Sequence, residues 1–180
     1  MNQIEFAIKV LEKIKKNPSI HTGTLANELN TRESLIVEVL PPEMATPVPK
    51  LSFDKIIEEI STWGPITLIV QNESMILEVK GGFPMGKYGN GYFNLHTQAS
   101  PIGGHIRASQ VDKIFFVKKP FMKLDTYSIQ FFNTNGNAMF KVYLGRNEKR
   151  EIDTVQLAKY NELLSRLKNN KPNSVEANIL

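Results

Sequence analysis

The 180-residue chain contains no cysteine. That absence excludes disulfides, thiolate-bound metals, iron–sulfur clusters and covalently attached c-type haem, and it fits a reducing compartment. Long apolar runs are missing as well. The opening MNQIEFAIKVLEKIKKN sets charges among its apolar positions, unlike the uninterrupted core of a secretory signal, and no stretch reaches membrane-spanning length. The chain therefore reads as cytosolic, with no membrane insertion. Catalytic signatures are scarce: there is no nucleophile elbow, no zincin helix and no suitably spaced carboxylate pair. Charge of one sign does not dominate either, since a net charge of +4 permits an anionic partner without selecting one.

What remains is an ordinary globular composition, 41% hydrophobic and 22% charged, at a length that suits one main domain. Ile4, Ala7, Ile8, Leu11 and Ile14 recur at helical spacing and predict an amphipathic helix closed by Pro18. Shorter helices are expected over Thr22–Leu29 and Thr31–Leu40. PPEMATPVPK, with four prolines in ten residues, then reads as a linker. Ser52 is placed to N-cap a helix whose apolar face is Phe53, Ile56, Ile57 and Ile60.

From Ile66 the period changes to two. ITLIVQ, SMILEV, GYFNLH, GHIRAS, KIFFVK, YSIQFF and AMFKVYL are short runs rich in β-branched and aromatic residues, separated by turn formers. Asn135-Gly136 predicts a type I′ hairpin between the last two. A closing helix is expected from about Asp153, with Leu157, Tyr160, Leu164 and Leu167 on one face. The expected class is α+β: a predominantly antiparallel sheet of about seven or more strands, with N-terminal helices, one helix before the sheet and one after it. In domain terms this gives a helical segment over 1–42, the linker over 43–50, an α+β domain over 51–168 and a disordered tail over 169–180.

GYFNLHTQASPIGGHI holds two of the three histidines. Strand alternation puts Tyr92, Asn94 and His96 on one face and Phe93 and Leu95 on the other, and it pairs His105 with Arg107. A phenol, imidazoles and a guanidinium on one face suit a ligand site, although the wet face of a half-buried hairpin has the same pattern. Two histidines without a thiolate or carboxylate fall short of a closed zinc site. Haem iron needs only one or two axial ligands, with cations for the propionates. Around this stretch basic residues outnumber acidic ones among many aromatics, which suits a flat dianion; an aromatic core edged by lysines gives the same composition.

Two other patterns carry less. GGFPMGKYGNGY lacks the Gly-Lys-Ser/Thr ending and following helix of a phosphate loop, so it reads as a flexible flap or a wide turn. Ala26, Asn30 and Ile36 are spaced as in a helix-turn-helix, yet Arg32 stands against Glu33 and Glu38 in the would-be recognition helix. That charge opposes nucleic acid, and no nucleic-acid partner is expected.

STWGPITLIV, GYFNLH, GGHI, KKPFMKLDTYSIQFFN and FKVYLGRNEKR, in this order, resemble the haem-utilisation carrier family, the ChuX/HutX/HuvX-type intracellular haem-trafficking proteins, from roughly Leu25 to Leu167. The resemblance implies a cytosolic, non-catalytic haem carrier working in haem uptake and iron utilisation. It also implies haem b as cofactor, a homodimer, and a haem-degrading enzyme as recipient. In the family motif the haem-associated positions are Tyr92 and His105, the axial-ligand candidates. His96 has no counterpart there and is the weaker metal candidate, and Gln71 stands where some relatives carry histidine. Arg107, Lys118, Lys119 and Lys123 are expected at the propionates. The rival readings are a haem-degrading or haem-reducing enzyme and, more remotely, a helix-turn-helix regulator.

Overall fold

A computed structural model describes residues 2–96 and 100–169. Three helices lead the chain: α1 (Gln3–Lys16), α2 (Thr22–Glu28) and α3 (Glu33–Glu38). Asn2 and Glu5 cap α1 reciprocally, each side chain accepting from the other's backbone N–H at 2.9 and 3.1 Å. After β1 (Ala45–Val48) and a 3-10 turn comes α4 (Phe53–Ile60), then the strands β2 (Pro65–Gln71), β3 (Ile76–Gly82), β4 (Gly86–Gly89), β5 (Tyr92–Leu95), β6 (Gly104–Ile106), β7 (Val111–Phe121), β8 (Leu124–Asn133) and β9 (Ala138–Tyr143), and finally α5 (Thr154–Asn169). The strands form two antiparallel sheets, one ordered β1-β7-β8-β9-β2-β3 and a smaller one ordered β4-β5-β6. This is the α+β class expected from the sequence.

Alternation along β7 explains how one sheet serves two cores. Ile114 and Phe116 point into a large core with α4 and α5, while Phe115 and Val117 point the opposite way, into a second core under α1–α3. The predicted face of α4 is the buried one, and Phe53, Ile56, Ile57 and Ile60 are each at most 5% exposed. Each such side chain is worth about 1.5–3 kcal/mol of burial. Asp153 caps α5, its Oδ1 accepting from the N–H groups of Val155 and Gln156 at 2.9 and 3.0 Å. Tyr160, Leu163 and Leu167 of α5 reach the large core, with Leu157 and Leu164 packed at its margin.

Several details differ from the sequence reading. The proline-rich stretch contains β1, paired with β7 from Ala45↔Val117 to Val48↔Ile114; Pro47 is tolerated because β1 is an edge strand. On α1 the seam is Phe6, Val10 and Ile14, whereas Ile4 and Ile8 are 73% and 53% exposed. Ser52 makes no cap, because the chain enters α4 through the 3-10 turn Lys50–Ser52. The Gly-rich flap contains β4. Asn135-Gly136 is not a type I′ turn: only Gly136 has positive φ, at 79°, and its N–H donates to the Asn133 carbonyl, closing a three-residue loop. Two-residue turns with both φ positive occur instead at Asn90-Gly91 and at Met122-Lys123. The tail expected over 169–180 lies, beyond Asn169, outside the described residues.

Candidate functional site

The small sheet carries the phenol, imidazole and guanidinium together. β4 and β5 turn at Asn90-Gly91, and β6 pairs with β5 in a register that sets Asn94 opposite His105 and Phe93 opposite Ile106. Phe93, Leu95 and Ile106 point into the large core, and the Phe93 ring meets Phe53 edge-on at 5.8 Å. The opposite face keeps Tyr92, Asn94 and His105, joined by Arg107 just past β6.

Two hydrogen-bond relays order this face. The Nε and Nη2 of Arg107 donate to the Tyr92 hydroxyl oxygen at 3.1 and 2.8 Å, with the guanidinium carbon 5.1 Å from the ring centroid. A phenol oxygen held by two charged donors is complementary to phenolate, the form of tyrosine that ligates ferric iron. The amide nitrogen of Asn94 donates to the carbonyls of Lys87, Gly89 and Tyr92. This fixes the amide so that its Oδ1 faces His105 Nδ1 at 2.6 Å. An amide oxygen only accepts, so Nδ1 is the donor in this contact, and in the neutral ring the lone pair then sits on Nε2. The Tyr92 and His105 rings lie 5.8 Å apart between centroids. Asn94 is the member of this cluster that no motif singled out; alternation placed it on the face, but its contact with His105 needed the register.

The neighbouring tyrosine is set up differently. Tyr88 donates to the Asp54 carboxylate at 2.5 Å, and burial, then Asp54, push its hydroxyl up to about 12. A phenol beside a carboxylate keeps its proton, which sets Tyr88 apart from Tyr92.

The other expected residues lie elsewhere. His96 follows β5 with an exposed side chain, its backbone N–H donating to the Met85 carbonyl at 2.8 Å. No hydrogen bond or ring contact joins it to the cluster among the described residues. Lys118 lies 3.8 Å from Asp125 and over the Tyr127 ring. Lys119 points to the opposite face of β7, where it is 8% exposed, and Lys123 sits in the Met122-Lys123 turn. β7 carries these lysines away from Arg107: the seven residue steps from Val111 to Lys118 span about 23 Å of strand. Within one chain they do not join the Tyr92 cluster, and Arg107 alone of the expected propionate cations does. Among the described residues no three His, Asp or Glu side chains gather to hold a bare metal ion.

Gly86 fixes the height of this face. A Cβ there would lie 2.4 Å from the Phe93 ring and 2.6 Å from the Asn94 carbonyl oxygen. Gly86→Ala is expected to cost about 1–3 kcal/mol and to displace Asn94. Loss of stability in urea melts together with a shifted His105 imidazole signal by NMR checks both effects.

Architecture defines the class first. The chain shares its α+β fold with a crystal structure from Erwinia carotovora at a TM-score of 0.83 and 38% identity, covering 88% of this chain and 98% of that one. A second solved structure, the heme binding protein ChuX, matches at a TM-score of 0.78 and 35% identity over 88% of this chain and 99% of that one. The family follows from sequence: residues 46–163 match the haem utilisation ChuX/HutX model. The intracellular heme transport protein HutX of Vibrio cholerae is 36% identical over 152 residues, 84% of this chain and 79% of the relative. The chain belongs to the haem utilisation ChuX/HutX family.

Proposed function

We propose that this protein is a cytosolic carrier that binds haem and passes it on during haem uptake and iron utilisation. The observation that carries the reading is the pair of Arg107 N–H groups on the Tyr92 oxygen beside His105. Tyr92 supplies a hard ligand for ferric iron, and His105 either ligates through Nε2 or tunes the phenolate. Arg107 also faces the propionates. The cargo is haem b, held without covalent attachment because no cysteine exists to form a thioether. Named relatives bind or transport heme, which supports carriage over turnover, and a haem-degrading enzyme is the fitting recipient.

Hemin titration followed by absorption spectroscopy tests this. A saturable Soret band at one haem per chain, altered in His105→Ala, is the expected result, and no saturable shift would sink it. Incubation of the complex with reductant separates carrier from enzyme: the band persists in a carrier and is lost with iron release in a haem-degrading enzyme.

The working unit we propose is a homodimer. β3 is an edge strand, and the tip of the β2–β3 hairpin exposes Val70, Met75, Ile76 and Leu77 at 40–55%. An uncovered apolar edge is an aggregation hazard, and antiparallel pairing with its own copy is a twofold-symmetric way to cover it. Ile76→Lys is expected to convert a dimer into a monomer in analytical ultracentrifugation while leaving the fold intact; a dimer that persists would place the interface elsewhere.

A further inference from the structure

The sequence holds two Asn-Gly dipeptides, Asn90-Gly91 and Asn135-Gly136. Asparagine before glycine carries a reaction of its own. The glycine nitrogen, with no side chain beside it, attacks the neighbouring carboxamide carbon and closes a five-membered ring. A folded chain permits this only where the amide is accessible and the backbone can leave its native torsions.

The two dipeptides differ on both counts. Gly136 is buried, and a Cβ there would lie 2.7 Å from Ser34 Oγ and 2.9 Å from Arg32 Cδ. Its N–H donates to the Asn133 carbonyl at 2.8 Å, and its own carbonyl accepts from the Ser34 N–H at 3.1 Å. Asn133 Oδ1 accepts from the N–H groups of Asn135 and Asn137, both at 3.0 Å. The strands on either side, β8 and β9, lie inside the six-stranded sheet. Opening this loop means giving up all of these bonds.

Asn90 and Gly91 are both exposed, and a Cβ on Gly91 would meet nothing within 4 Å. Among the described residues neither the Asn90 carboxamide nor the Gly91 N–H makes a hydrogen bond. Their positive φ values, 52° and 79°, are held by a β4–β5 pairing four residues long, whose outer strand is an edge of the small sheet. A turn held by so few bonds opens locally at little cost.

We propose that Asn90 is a site of spontaneous covalent modification, converting to aspartate and isoaspartate through a cyclic imide formed with the Gly91 nitrogen, while the fold spares Asn135. In the first step the Gly91 nitrogen bonds to Asn90 Cγ and gives up its proton, the Cγ–Nδ2 bond breaks, and ammonia leaves with that proton. Water then opens the imide at either carbonyl, so the only co-reactant is solvent. Both products place a new carboxylate two residues before Tyr92. Isoaspartate also adds a methylene to the main chain of a two-residue turn, whose length sets the register of Gly89 with Tyr92 and of Lys87 with Asn94. The modification therefore ages the face that carries Tyr92 and Asn94, whatever that face binds, and it does not rest on the haem reading.

Incubation of the intact protein in mildly alkaline buffer, followed by tryptic peptide mass spectrometry and enzymatic methyl-labelling of isoaspartate, tests it. Trypsin separates the two sites into Tyr88–Arg107 and Leu124–Lys141. In the folded protein Asn90 should lose its amide at least about tenfold faster than Asn135, because Gly136 must first release its two backbone hydrogen bonds. In urea the two sites should react at similar rates, which assigns the difference to the fold. Asn90→Asp supplies the product's mass and should gain no further mass at that position. Asn135 reacting as fast as Asn90 in the folded protein, or Asn90 staying intact there while both sites react in urea, would overturn the proposal.

Discussion

Tyr92→Phe is expected to weaken ferric haem binding by at least about 100-fold and to move the Soret band. Replacing a residue that only supports a metal ligand typically costs 10–100-fold. Tyr92 is proposed as the ligand itself, so its loss should reach or exceed the upper end of that range. The substitution keeps the ring and its packing and removes one oxygen, the one on which two Arg107 donors converge. What remains is His105 Nε2, a softer ligand, beside a guanidinium with no anion to face. Arg107→Ala should fall within the supporting-residue range and leave the band position closer to the parent's. A Phe variant with the parent's spectrum and affinity would remove the iron from this face.

Phe131→Ala is expected to cost about 3–5 kcal/mol. Phe131 is 0% exposed, stacks on Phe140 at 4.3 Å and meets Phe53 edge-on at 5.9 Å, so the space it leaves is walled by rings that cannot collapse into it. For a chain of this size the melting temperature should fall on the order of 10 °C. Ile8→Ala, on the exposed stripe of α1, should stay within about 0.5 kcal/mol. Urea unfolding of the two variants side by side checks both figures, and equal losses would mean that the burial of these positions has been misjudged.

The same pair shows how far sequence alone reached. Phe131 belongs to a run whose alternation is set by burial, and such runs were legible: seven of the strands, the face of α4 and the common face of Tyr92, Asn94, His105 and Arg107. Ile8 was misplaced because α1 carries two apolar stripes, and periodicity cannot say which of them meets a partner. β1 was hidden by Pro47, which an edge position tolerates, and β4 by glycines that permit close approach to Phe93. The Met122-Lys123 turn carries no turn-forming residue at all. Its geometry comes from the long β7–β8 pairing, which holds two ordinary side chains at φ of 48° and 65°. Lys118, Lys119 and Lys123 were expected at the propionates alongside Arg107; within one chain, β7 carries them away from it.

The small sheet is attached to the body of the protein by one face only. Phe93, Leu95 and Ile106 anchor it inward, and the proposed ligands stand on the opposite side, with no side-chain hydrogen bond or ring contact to the body of the protein among the described residues. Cargo bound there can leave without any movement of the interior. On the proposed reading its residence time is set by the iron–oxygen bond and the Arg107 contact, and a recipient needs only to compete for the metal, not to pry the carrier open.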